Sequence, residues 1–425
     1  MITRTRSRRE ALRLLAATGV AAGAAAGLGA GRAGARSATA ASPNASPDPE
    51  PRLYGVLEPD KPALASLDLP GEYQDGLRVR EVGVGWSSYE TAQNTFNNTY
   101  LAGVKQRINA YRAAGYGIQL DLGMQYPPAW VFQLPNSHFV NQFGDAYSST
   151  APGGAGVNAV FSQSMRQAQE QYVSHLFGQL GNDFAGIRLG WGRSGEIGYP
   201  HPTFGSRTNC YWAFDAIAQG TATGLPPGVA ACPVPGWIPG TPGTQEARLF
   251  IDWYLDSLRA YQQWQISTVR AHFAGPLVLL YGSRGVRPGQ LSAAIASHLD
   301  GTTAAETDSD LQRGMDYARL ISSINDKNVA PCTTWIDCIF ENPDDTSPDP
   351  ARWSPVHYFA ALAGPLGLQT WSENTGHGSY DSMLLSFQRM QAYNVHALMW
   401  AFHAELYNGS YATMAQYAQL IAQYP

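Results

Sequence analysis

Charge is scarce in this sequence. Asp, Glu, Lys and Arg make up 14% of its 425 residues and the net charge is -5, whereas soluble domains usually carry about a quarter charged residues. No basic patch stands out, and neutralising a phosphate backbone needs one, so no nucleic-acid partner is expected. No GxGxxG follows the first recognisable strand, so no dinucleotide site is expected. There is no GxSxG nucleophile elbow. Cysteine is limited to four residues, and their spacing lacks CxxC, so a metal site is not expected; no motif demands a metal or an organic cofactor.

What the chain does have is apolar and aromatic material. Hydrophobic residues reach 44%, with 11 Trp and 22 Tyr, ample for a large core. With so few charges, the polar surface must come from Ser, Thr, Asn, Gln and Tyr. Any single aromatic is read first as packing. Sugar rings also stack their C–H faces on such rings, which makes a carbohydrate partner a natural expectation.

The N-terminus carries basic TRTRSRRE before ALRLLAATGVAAGAAAGLGAG, and Arg8 and Arg9 in SRREAL resemble a twin-arginine export signal. Residues 1–40 are expected to be that signal, 41–55 a linker around ASPNASPDPEP, and 56–425 the catalytic domain. The Ala- and Gly-rich stretch is weakly hydrophobic, so no stable membrane anchor is expected. The chain reads as secreted or extracytoplasmic, exported folded. In an oxidising compartment, Cys210 with Cys232 and Cys332 with Cys338 is the simplest of three disulfide pairings.

From Val79 onward, short apolar runs alternate with helical patterns. VREVGVGW, YGIQLDL, FAGIRLGW, PLVLLYGS, VAPCTTWIDCIF, LGLQTWSE and VHALMWAF read as strands. Strands separated by helices imply a parallel sheet. Seven or eight such units fit one α/β domain, a single (β/α)8 TIM barrel with long βα loops; an open doubly wound sheet is the alternative.

In such a barrel the chemistry lies at the C-terminal strand ends. Those ends supply Trp86, Glu90, Asp121, Trp130, Trp191, Arg193, Glu196, Tyr281, Trp335, Trp371, Glu373, Asn374 and Trp400. Acids, amides and aromatics suit glycoside hydrolysis, where two carboxyl groups flank the scissile bond, one protonated and one ionised. Glu196 and Glu373 are the candidate pair. The alternative for either is a solvated or capping carboxylate; their placement on two separate strand ends points to catalysis. The remaining eleven residues are candidate substrate contacts, and each tryptophan reads equally as core.

Several stretches resemble known families. GWGRSGEIGYP, residues 190–200, resembles the GxxGExxYP motif of the β-amylase family. LFIDWYLDSL and LQTWSE are similar to that family's helix after strand four and its strand-seven segment. Trp86 and Glu90 match by spacing the SWxxxEP pattern of microbial β-galactosidases, with Thr91 in place of Pro. YPPAW, FGDAYSST and the run from Glu373 to Gly376 are similar to segments of the same galactosidases. Gly195 stands where those enzymes carry an Asn, and the β-amylase HxCGGNVGD segment is missing.

The resemblance is to a divergent clan A glycoside hydrolase. It implies Glu196 as acid/base and Glu373 as nucleophile of a retaining enzyme. The β-amylase side implies inversion instead, with Glu373 as general base. A transglycosylase, a non-catalytic carbohydrate-binding barrel, and a lyase using Tyr199 or His201 stay open. The sugar, the linkage and the oligomeric state are not legible.

Overall fold

Eight parallel strands close on themselves in chain order: β1 (Leu53–Val56), β2 (Val79–Gly83), β3 (Gly117–Asp121), β4 (Gly186–Leu189), β5 (Leu277–Tyr281), β6 (Val329–Thr333), β7 (Trp371–Glu373) and β8 (Ala397–Trp400). β8 pairs back onto β1 with Leu53 opposite Ala397 and Val56 opposite Trp400. The computed structural model describes residues 51–147, 156–340 and 342–425, so the expected export signal lies outside the described residues. The expected (β/α)8 barrel is the observed one.

The outer layer is built by α1 (Leu69–Gln74), α2 (Asn98–Ala113), α3 (Gln163–Leu180), α4 (Thr244–Arg270), α5 (Tyr317–Ser322), α6 (Pro355–Ala363), α7 (Tyr380–Ala392) and α8 (Met414–Gln423). Several of their starts carry side-chain caps. Asn97 accepts from the Tyr100 N–H, Ser379 from the Ser382 N–H, and Thr413 forms a capping box with Gln416.

β1 is a strand the sequence reading did not include, because LYGV is short and follows a Pro-rich stretch. Its presence makes the Val79 strand the second and the YGIQLDL strand the third. Glu196 therefore follows β4 and Glu373 ends β7, the positions expected of them. The VREVGVGW run stops being strand at Gly83, because Gly85 opens a helical turn over Trp86–Tyr89.

Alternation sorts the side chains. Leu57, Val79, Val278, Leu280, Ala330, Cys332, Trp371, Ala397 and Met399 fill the barrel interior. Ile187, Leu189, Leu279, Tyr281 and Leu398 face the helices in a much larger cluster. On β4, Arg188 lies between Ile187 and Leu189 and so points the other way, into the barrel. Where the first and last strands meet, a buried polar clasp holds the seam. Arg80 pairs with Glu58 at 2.9 Å and with Glu72, while His403 Nε2 lies 3.2 Å from Glu72.

The disulfide expectation is overturned: Cys210, Cys232, Cys332 and Cys338 are all free and buried. Cys332 is on β6 inside the barrel beside Leu280 and Trp371, whereas Cys338 sits in the loop above, where its carbonyl accepts from Arg389. Cys210 Sγ accepts from the Asn141 amide at 3.4 Å. Burial pushes the thiols of Cys210 and Cys338 up to about 11, so both stay protonated. Proximity in sequence suggested the pairs; each thiol is instead buried and unbridged.

Candidate active site

The turn after β4 is shaped by glycine. Gly190, Gly195 and Gly198 all have positive φ, as does Ser194. A side chain on Gly190 would run into the Gly195 carbonyl. The turn folds back so that Ile197 donates to the Leu280 carbonyl at 2.7 Å and bridges Tyr281 at the end of β5. Between these anchors Glu196 is buried. Its Oε1 accepts from Thr334 Oγ1 at 2.7 Å and its Oε2 from Arg313 Nη2 at 2.8 Å. Gly282 makes room: a Cβ there would lie 2.5 Å from the Glu196 Cδ.

Glu373, the last residue of β7, is held by a fork. Arg188 Nε donates to Oε1 at 3.1 Å and Nη2 to Oε2 at 3.0 Å, the bidentate geometry that makes Arg–carboxylate pairs strong. Arg188 also reaches Asp121 Oδ2 at 3.3 Å and the Ser194 carbonyl at 3.4 Å, and lies 3.8 Å from Glu81. Ser194 belongs to the turn that carries Glu196. One guanidinium thus joins the Glu373 carboxylate to the Glu196 turn. A side chain at Gly195 would stand 3.1 Å from Arg188 Nη1 and 3.3 Å from Gln125 Nε2, so these two groups fill the space beside the small residue before Glu196.

Burial opposes the charge on Arg188. Glu373, Glu81 and Asp121 outweigh it and hold its pKa well above the ordinary arginine value. For Glu81, burial prevails over the pull of Arg188, and Asp121 and Glu373 add to it, pushing the carboxyl up to about 8. The Cys332 thiol is raised by burial and then by Glu373.

The other expected contacts divide. Asp121 is at the mouth, accepting from the Gly123 N–H at 2.9 Å and the Gln125 amide at 2.6 Å. Trp335 is half-buried beside Thr334, and Trp130 is half-buried and edge-on to Trp86. Trp86 and Glu90 serve each other: the indole donates to Glu90 at 2.8 Å, and Glu90 also accepts from the Asn94 N–H. Trp191 donates to the Val157 carbonyl, and Tyr281 donates to Gln262 behind the barrel. Trp371 fills the barrel interior, and Trp400 packs near Tyr417. Asn374 braces the β7–β8 connection, accepting from the Ala401 N–H and donating to the Gly376 carbonyl. The side chain of Arg193 lies outside the described residues.

Sequence reasoning missed Arg188, Arg313, Thr334 and Glu81. For Arg188 and Glu81 a signal existed, a charged residue at an inward position of a short apolar strand. Arg313 and Thr334 come from loops, where no periodicity marks direction. Among the described residues no group of three or more His, Cys, Asp or Glu is placed to hold a metal ion. Among them, too, no helix is long and apolar enough to cross a membrane.

No protein-family model matches the sequence, and no curated protein sequence matches it. Solved structures do match the fold. The catalytic domain of a β-amylase from Paenibacillus polymyxa superposes with a TM-score of 0.62 at 15% identity, covering 88% of this chain and 98% of that one. A β-galactosidase from Marinomonas ef1 gives 0.57 at 13% identity, covering 87% of this chain and 59% of its own. One from Halorubrum lacusprofundi gives 0.58 at 12%, covering 88% and 58%. The chain therefore spans about three fifths of these galactosidases. At such identities the likeness is one of fold, and the fold is the barrel of β-amylases and β-galactosidases, as the motifs implied.

Proposed function

We propose that this chain is a glycoside hydrolase in which Glu196 is the acid/base and Glu373 the nucleophile of a retaining reaction on a carbohydrate. The observation that carries the reading is the Arg188 bridge, which binds Glu373 through both oxygens and touches the Ser194 carbonyl two residues before Glu196. It favours an ionised Glu373 and keeps the two carboxylate-bearing segments in register.

In this resting arrangement Arg313 favours an ionised Glu196, yet a general acid must deliver a proton. The Arg313 side chain is partly exposed and Thr334 holds the opposite carboxyl oxygen. We take the incoming glycosidic oxygen to replace Arg313 at Oε2, after which burial favours the protonated acid. Glu196 then protonates the leaving oxygen as Glu373 attacks the anomeric carbon. In the second step Glu196 takes a proton from the water that releases the sugar. Asp121 and Trp335 are the mouth residues best placed to meet the substrate. We further assign residues 1–40 to an export signal on the strength of SRREAL.

The test is release of reducing ends from a panel of α- and β-linked oligosaccharides, with the first-formed anomer followed by proton NMR. Turnover with retained configuration that Glu196→Gln lowers by at least about 100-fold is expected. Undiminished turnover in that variant would remove Glu196 from the mechanism, and an inverted product would make Glu373 a base.

A further inference from the structure

The barrel mouth holds a charge imbalance that the two-carboxylate chemistry does not itself require. Glu81 on β2, Asp121 on β3 and Glu373 on β7 converge on the guanidinium of Arg188, and all four residues are more than nine-tenths buried. Three negative charges around one positive charge are not sustained away from water, so one carboxyl keeps a proton.

The hydrogen bonds identify which one. Glu373 has both oxygens in the Arg188 fork. Asp121 accepts from a backbone N–H, from the Gln125 amide and from Arg188, three donors on its two oxygens. Glu81 is the least supported. Its Oε2 accepts from the Glu58 N–H at 3.3 Å, and its Oε1 stands 3.8 Å from Arg188, beyond hydrogen-bond length.

We propose that Glu81 is a positioning residue, held neutral so that Arg188 stays committed to Glu373. Stripped of its proton, Glu81 becomes a rival for the guanidinium, and the fork on Glu373 loosens. The proposal rests on the reading of Glu373 as the ionised catalytic carboxylate. Burial, acting with Asp121 and Glu373 against Arg188, is in keeping with it. The groups facing Glu81 are Arg188 from β4, Asp121 from β3, Glu373 from β7, the Tyr126 phenol from the loop after β3 and the Glu58 N–H after β1. The Glu58 carboxylate is turned away, into the seam clasp with Arg80, Arg107 and Tyr111.

The test is infrared difference spectroscopy of the full chain through a pH titration, comparing wild type with Glu81→Gln and Glu373→Gln. Wild type should show the carbonyl stretch of a buried protonated carboxyl, absent in Glu81→Gln and lost with a midpoint of about 8. In Glu373→Gln, where Arg188 is released to Glu81, that midpoint should fall by at least about one pH unit. This arm decides the matter even if Glu81→Gln does not fold. With turnover in hand, the alkaline limb of kcat/KM should follow the same midpoint and move up by about one pH unit or more in Glu81→Gln. No protonated band at neutral pH, or a midpoint unmoved by Glu373→Gln, overturns the proposal. A wild type that cleaves no glycoside sinks the hydrolase reading, while the infrared midpoints still decide where the proton sits.

Discussion

Replacing Gly282 by alanine displaces the proposed acid, Glu196, without touching a charge. Gly282 is not among the positive-φ glycines, so the backbone accepts an alanine there. The new methyl carbon, however, would lie 2.5 Å from Glu196 Cδ and 2.8 Å from its Oε1, and neither distance is tolerable. The carboxyl must move, giving up the Thr334 bond at 2.7 Å and the Arg313 bond at 2.8 Å. Hydrogen bonds to charged groups are worth about 1.5–3 kcal/mol each, so losing both lowers stability by roughly 3–6 kcal/mol at most. The catalytic loss should be of similar size. A displaced general acid forfeits about 100- to 10,000-fold in rate, close to about 3–5 kcal/mol of transition-state stabilisation. Steady-state kinetics on an unactivated oligosaccharide and on an aryl glycoside with a good leaving group should show most of the loss on the first. Gly103→Ala, on α2 with nothing within 4 Å of the added carbon, is the control and should be neutral or slightly stabilising. A Gly282→Ala enzyme within about threefold of wild type on the unactivated substrate would refute the reasoning.

Three further outcomes are expected. Thiol titration should count four free cysteines after denaturation and few before it, because all four are buried; disulfide-linked peptides in the native protein would contradict this. Trp371→Ala should cost about 3–5 kcal/mol in chemical denaturation, as expected for an aromatic filling a core, whereas Trp335→Ala should raise KM with little change in Tm; the reverse pattern would exchange their roles. Glu81 has a folded pKa of about 8, above its unfolded value. Below about pH 4.5 both states hold the proton and it adds nothing; as pH rises toward about 8 the folded state alone holds it, so stability falls. The stability advantage of Glu81→Gln over wild type should therefore grow across that window, and a difference independent of pH would count against a buried proton.

The barrel and the strand-end positions of Glu196 and Glu373 were legible because they rest on strong local signals. Apolar runs separated by amphipathic helices define a parallel sheet, and the glycines around Glu196 mark a tight turn at a strand end. Four-residue LYGV carried too little pattern to announce β1. The tryptophans misdirected for a related reason: a strand-end position does not say which face the ring takes. Trp371 lies on the inward face of β7 and fills the barrel, while Trp191 and Tyr281 turn toward the helices. The disulfide pairing failed because separation along the chain carries no information on where side chains point. Arg313, 117 residues from its partner Glu196, is a tertiary contact that a single sequence does not encode locally.

The most direct test of the Glu196–Glu373 pair is azide rescue of two small-side-chain variants on an activated aryl glycoside, with the anomeric configuration of the glycosyl azide read by NMR. With Glu196→Ala, azide enters after the glycosyl-enzyme has formed on Glu373, and the product should keep the substrate's configuration. With Glu373→Ala, azide stands in for the missing nucleophile, and the product should be inverted. Rescue with those two opposite outcomes is the result the account predicts. The same configuration from both variants, or turnover in either variant that needs no azide and matches wild type, would contradict it.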